Sequence, residues 1–166
     1  MARGKSPEQV KRIVEALLFA TDEPVPVRKL AEIAGAADVR EVKDAVEALR
    51  KEYDEQNRAF QIEEIAGGLQ LLSRPEYRKW IALLGRSRAE SRLTQAALET
   101  LAIIAWRQPV TRADVEAIRG VQSGELVRSL VERRLVKIVG RLDVIGRPMV
   151  YGTTRQFLHH FGLMSI

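Results

Sequence analysis

LTQAALETLAIIAWRQPVTRADVEAIRG, residues Leu93 to Gly120, specifies two helices and the short turn between them more fully than any other stretch of the chain. Thr94 is a good N-cap, and Leu93 with Leu98 at the fourth helical position forms a hydrophobic staple that sets the angle at which the chain enters the helix. Leu98, Leu101, Ala102 and Ala105 recur at i, i+3, i+4 and i+7, the spacing of a face that meets a core. Ile103, Ile104 and Trp106 lie off that stripe and are also apolar, so one domain core is expected to leave them for another partner. Pro109 stops the helix, having no N–H to continue it. Thr111 with Asp114 then opens a second, short helix in the manner of a capping box, expected to carry Val115 and Ile118 inward before Gly120 ends it. Helix, turn, helix is the front half of a winged-helix domain.

Composition bounds the rest. A chain of 166 residues with no cysteine, 46% hydrophobic and 30% charged, needs neither disulfides nor a thiolate metal site to hold its fold. No run of 18 apolar residues occurs, and MARGKSPEQV at the start lacks the apolar core of a signal peptide, so no membrane association is expected and a cytoplasmic setting fits. The net charge of +5 is uneven: residues 1–85 hold 14 Lys/Arg and 15 Asp/Glu, residues 86–166 hold 13 and 7. A basic C-terminal half suits a nucleic acid or an acidic protein partner, and equally a merely solvated surface.

Ser6-Pro7-Glu8-Gln9 opens the first helix with a cap, a proline at the first helical position and a glutamine at the third. Val10, Ile13, Val14, Leu17 and Leu18 mark its buried face, with Phe19 beside it. A short helix follows over Val27 to Ala34, closed by Gly35, and Asp38 with Glu41 caps a long third helix lined by Val39, Val42, Val46, Leu49 and Tyr53. The period then changes to two: Phe60 and Ile62 alternate with Gln61 and Glu63, Gly67-Gly68 supplies a turn, and Leu69 and Leu71 flank Gln70. This hairpin is the wing. Pro75 starts a further helix through Tyr77, Trp80, Ile81 and Leu84, and the polar, basic stretch after Gly85 reads as a linker at 86–91.

Beyond it the first domain returns at an offset of 85 residues. Pro24-Val25 becomes Pro109-Val110, Ile33 becomes Ile118, Gly35 becomes Gly120, the cap Asp38 becomes Ser123, and Val42 and Val46 become Val127 and Val131. So long a period indicates a duplicated domain rather than a solenoid. A second wing follows from Leu135 to Gly152, then a last helix with Phe157, Leu158 and Phe161. The expected fold is mainly α with small β-hairpin wings: two tandem winged-helix domains, at 6–85 and 92–166.

The inventory does not support catalysis. Cysteine is absent, and the two histidines, His159 and His160, are neighbours that point apart on a helix and cannot share a metal. No nucleophile, base and orienting group can be nominated together, and no metal or cofactor is expected. DNA binding through the third helix of either domain is opposed by its outward charges: Glu41, Asp44, Glu47 and Glu52 stand among Arg40, Lys43, Arg50 and Lys51, and Glu125 and Glu132 beside Arg128 and Arg133. A carboxylate against phosphate works against the counterion release that drives DNA affinity. Arg141 and Arg147 of the second wing, with Arg155, remain as candidate DNA contacts, with solubility and carbonyl capping an equal reading.

TQAALETLAIIAWRQPVTRADVEAIRGV (Thr94 to Val121), IVGRLDVIGRPMVYGTT (Ile138 to Thr154) with QFLHHFGL (Gln156 to Leu163), and more weakly IVEALLFATDEPV (Ile13 to Val25) resemble the segregation and condensation protein B family. Trp106 stands where that family most often has tyrosine, and Gln122-Ser123-Gly124 varies a turn that usually contains Asn or Asp. The resemblance implies a homodimer joined through the N-terminal domains, with the C-terminal domains engaging the kleisin ScpA and, through it, an SMC ATPase. It implies a non-catalytic, nucleoid-associated role in chromosome condensation and segregation during cell division, with direct DNA binding weak or absent. The rivals are a winged-helix DNA-binding transcriptional regulator and an enzyme accessory domain.

The candidate site residues come from the surface reading and not from the family. Ile103, Ile104, Trp106 and Arg107, flanked by Arg128, are the expected partner-binding surface of the second domain, where apolar side chains would be buried by a partner segment and the basic balance would steer an acidic one. Phe19 is the candidate contact between two copies of the nearly neutral first domain.

Overall fold

The chain is described by a computed structural model over residues 5–84 and 93–166. The expected linker at 86–91 lies outside those residues. The described residues form two compact units, one running up to residue 84 and one from residue 93, each around its own hydrophobic core.

The first unit begins with α1 (Pro7–Phe19). Ser6 Oγ accepts the Gln9 N–H while Gln9 Oε1 accepts the Ser6 N–H, so two orphan donors of the helix start satisfy each other. Val10, Val14 and Leu18 pack inward against Leu30 of α2 (Val27–Ala34) and against Val42, Val46, Leu49 and Tyr53 of α3 (Val39–Glu55). Asp38 caps α3 by accepting the Glu41 N–H at 2.9 Å, but Glu41 turns its carboxylate to the Ala37 N–H, one residue outside the expected box. The wing is β1 (Phe60–Ile65) paired antiparallel with β2 (Gly68–Ser73), from Phe60 opposite Ser73 to Ile65 opposite Gly68.

That register shifts the turn by one residue from the expected Gly67-Gly68. The two loop residues are Ala66 and Gly67, both at positive φ (51° and 69°), and Gly68 already belongs to β2. Gly68 is required for a different reason. A Cβ there would stand 2.9 Å from the carbonyl carbons of Pro24 and Val25, where Val25 crosses to bridge Leu69. A 3-10 turn (Pro75–Tyr77) and α4 (Arg78–Leu84) complete the unit, and neither contributes a buried residue, so Trp80, Leu83 and Leu84 are exposed.

The second unit runs α5 (Gln95–Arg107), β3 (Val110–Thr111), α6 (Arg112–Arg119), α7 (Gly124–Glu132), β4 (Val136–Arg141), β5 (Met149–Thr153) and α8 (Arg155–Phe161). β5 lies between β3 and β4, antiparallel to both, with Val110 opposite Tyr151, Val136 opposite Thr153, and a bulge between Ile138 and Gly140. Gly152 repeats the close approach of Gly68: its missing Cβ would lie 2.9 Å from Gln108 Oε1, which accepts the Thr153 N–H at 2.7 Å.

The 85-residue offset is kept by α2 and α6, both eight residues long and both ended by a left-handed glycine, Gly35 and Gly120. It is also kept by the first residues of α3 and α7, after which the halves diverge, since α3 has 17 residues and α7 nine. Two expectations fail in detail. Ile118 is not carried inward but is 52% exposed, because α6 spans only two turns and offers the core Val115 alone. Ser123 does not cap α7 as Asp38 caps α3: its hydroxyl accepts from Arg119 at 3.0 Å and donates to the Val121 carbonyl.

Candidate protein-docking surface

The start of α5 is set by Thr94, whose hydroxyl oxygen accepts the Ala97 N–H at 3.2 Å, and its end by the turn at Gln108 and Pro109. Between them the buried residues are Ala97, Thr100, Leu101 and Ile104. These also recur at i, i+3, i+4 and i+7, one residue earlier than the stripe expected from sequence, so the helix is rotated by about 100° from that reading. Ile104 is at the centre of the second core, packed with Leu101, Val110, Val115, Val127 and Leu130, and has no exposed surface. It is therefore removed from the partner surface. Ile103 is half-buried against the same core.

The rotation brings out a different set. Leu98, Ala102 and Trp106, spaced by four residues and so on one face of α5, are all exposed, and Trp106 keeps 88% of its surface. Arg107 follows at the exposed end of the helix. The spacing alone places Leu98 and Ala102 on the core face, whereas in the structure Thr100 is buried there instead. Its hydroxyl is satisfied at 2.8 Å by the Ala96 carbonyl of its own helix, which lets it be fully buried. Glu99, beside Leu98, lies 3.4 Å from Arg119 of α6, a pair that braces this face. Such an exposed apolar strip with an aromatic at its end is what a partner helix or segment would cover.

The other candidates are scattered. Arg128 is exposed on α7 with Glu125 at 3.7 Å, so part of its charge is already answered. Phe19, at the end of α1, is 81% exposed. Arg141 Nη1 donates to the Arg147 carbonyl at 3.1 Å across the second wing, and Arg155 is the exposed first residue of α8.

Electrostatics in both units serve structure. Burial first, and then its hydrogen bond to Glu15 at 2.8 Å, push the Tyr53 hydroxyl well above the usual phenol value. The Thr111 hydroxyl and then its backbone N–H hold Asp114 below the usual carboxylate range, completing the capping box of α6. In the groove lined by Glu8, Lys11, Asp38 and Glu41, Lys11 is held between Glu8 and Glu52, 3.2 Å from each. Among the described residues no three His, Cys, Asp or Glu side chains gather as metal ligands, and no helix is long and apolar enough to cross a membrane.

Fold and surface together define a tandem winged-helix protein whose most conspicuous unexplained feature is exposed apolar surface. The family described as segregation and condensation complex subunit ScpB matches residues 12–166, and the chain belongs to that family. It is 51% identical to segregation and condensation protein B of Syntrophotalea carbinolica, over 95% of this chain and 79% of that protein. Identity to the protein of the same name from Geobacillus thermodenitrificans is 46%, over 98% of this chain and 78% of the relative. Among solved structures, the dimer of an ScpB N-terminal domain complexed with ScpA peptide is 30% identical, covering 44% of this chain and 84% of that one with a TM-score of 0.41.

Proposed function

We propose that this chain is the non-catalytic B subunit of a bacterial SMC–kleisin complex, acting in the cytoplasm at the nucleoid as a homodimer that binds the kleisin ScpA. The observation that carries the reading is membership of the segregation and condensation family along nearly the whole chain, from residue 12 to residue 166. A relative is named as a dimer of the ScpB N-terminal domain complexed with ScpA peptide, which joins ScpA to that domain as well as the dimer. Residues 6–85 are accordingly assigned to dimerisation. They are close to neutral, so two copies meet without net repulsion, and they expose Phe19 and the α4 side chains Trp80, Leu83 and Leu84.

Residues 92–166 are assigned a further contact with the kleisin, with Leu98, Ala102, Trp106 and Arg107 as the docking strip and Ile103 and Arg128 at its margins. The helix charges that oppose a DNA reading persist in the fold, since Arg128 and Arg50 each face a glutamate of their own helix, Glu125 and Glu47. Co-purification with the ScpA encoded in the same genome, with light scattering of the complex, tests the reading. Recovery of the chain alone and monomeric would refute it.

A further inference from the structure

We propose that the outer edge of β4 is a strand-addition site, where an extended acidic peptide segment of another protein pairs its backbone with Lys137–Arg141 and sets carboxylates against Lys137 on one face of the sheet and Arg141 on the other, the bulge between Ile138 and Gly140 placing the two cations on opposite faces. The site is separate from the α5 strip and does not depend on the ScpA reading.

β4 is the outermost strand of its sheet, paired among the described residues with β5 alone, and every residue from Lys137 to Arg141 is exposed. One side of such a strand presents backbone donors and acceptors to any extended chain that arrives. The first wing treats its corresponding strand differently. Arg50 of α3 donates from Nε to the Ile62 carbonyl of β1 at 3.1 Å, and Glu63 and Glu64 make that strand acidic. In the second unit α7 ends eight residues short of the matching end of α3, and the residue at the offset of Arg50 is Leu135, already buried at the entrance to β4. No side chain of α7 corresponds to the arginine that covers the first wing.

The chemistry of the edge selects its occupant. Between Val136 and Met149 the charges are Lys137, Arg141 and Arg147 against Asp143 alone. Two copies of this wing would set like cations opposite one another, which disfavours pairing of β4 with itself, whereas an acidic strand gains at each cross-strand pair. Ile138, Val139, Leu142, Val144 and Ile145 are exposed on the same hairpin. Those apolar side chains add nothing to phosphate binding but suit a peptide that carries both apolar and acidic residues, which favours peptide over duplex DNA.

The probe is a short fluorescein-labelled peptide of paired valines and paired glutamates, which shows a carboxylate to each face of the sheet, added to the full chain, with hydrogen exchange read by mass spectrometry and affinity by anisotropy. Expected are amides of residues 137–141 exchanging about tenfold more slowly with the peptide bound, and binding weakened about tenfold or more by the double substitution Lys137→Glu, Arg141→Glu with its melting temperature unchanged. A peptide N-methylated at every residue, and so along both backbone edges, should not bind, because neither edge can then complete the ladder. The proposal is overturned if the valine–glutamate peptide does not bind, if the N-methylated peptide binds equally well, if protection falls on α5 and not on β4, or if duplex DNA and not the peptide protects residues 137–147.

Discussion

Ile104 and Trp106 stand two residues apart on α5 and on opposite sides of it, the first with no exposed surface and the second with 88% of its surface exposed. Replacing each by alanine should therefore have opposite consequences. Ile104→Ala leaves a cavity among Leu101, Val115 and Leu130 and is expected to cost about 2–5 kcal/mol of folding stability. Trp106→Ala should change stability by less than about 0.5 kcal/mol and weaken ScpA binding by about 2 kcal/mol, the scale of an interface hot spot. Thermal denaturation with titration calorimetry separates the two, and a strongly destabilised Trp106→Ala with unchanged affinity would remove Trp106 from the docking strip.

Gly68→Ala should destabilise the first unit by about 1–3 kcal/mol, the usual cost of overpacking, because its Cβ would press on backbone rather than on a side chain that can rotate away. At Gly152 the neighbours are side-chain ends, Gln108 Oε1 at 2.9 Å and a Val139 methyl at 3.0 Å, which can move at the loss of the Gln108 hydrogen bonds to Thr153, so Gly152→Ala is expected to cost less than the backbone overlap at Gly68. Equal midpoint shifts in chemical denaturation of the two variants would contradict this ordering.

Thr111→Ala removes the cap of α6 and its partner's anchor together, at an expected cost of about 1 kcal/mol. Since Asp114 is held below its ordinary value in the folded chain, its contribution is present above the unfolded carboxyl value and is lost as pH falls through the folded one. The stability gap between the native chain and Asp114→Asn should then shrink as pH is lowered below about 4. Melting curves across that range check the sign.

Tyr53 behaves in the opposite sense. Its folded hydroxyl resists ionisation, so its contribution is complete below the ordinary phenol value near 10 and declines as pH rises beyond it. Tyr53→Phe should lose about 1–3 kcal/mol at neutral pH, as the bond to the Glu15 carboxylate disappears. The variant should also show a flatter decline in melting temperature above about pH 10 than the native chain.

Helix starts were legible in the sequence because the signals are local: Ser6 with Gln9 and Thr111 with Asp114 close their boxes within four residues, whatever the rest of the chain does. Legible for the same reason was the first hairpin, where alternation from Phe60 to Leu71 and a nearby glycine pair specify strand, turn and strand to within one residue. The duplication and the family resemblance rest on residue identity alone.

The sequence by itself thus determined most of the elements, their repetition and the family. Only the tertiary structure decided which side of α5 meets the core and which strand edge is left open. Apolar residues surround α5, so two stripes one residue apart satisfy the same period, and the choice falls to packing: Thr100 can be buried because its hydroxyl donates a hydrogen bond to the Ala96 carbonyl, and that rotation hides Ile104 and leaves Leu98, Ala102 and Trp106 outside. The open edge of β4 likewise follows from where α7 stops, a length set by how the chain turns at Arg133 and Arg134 into a buried Leu135 rather than by any periodic signal in the helix.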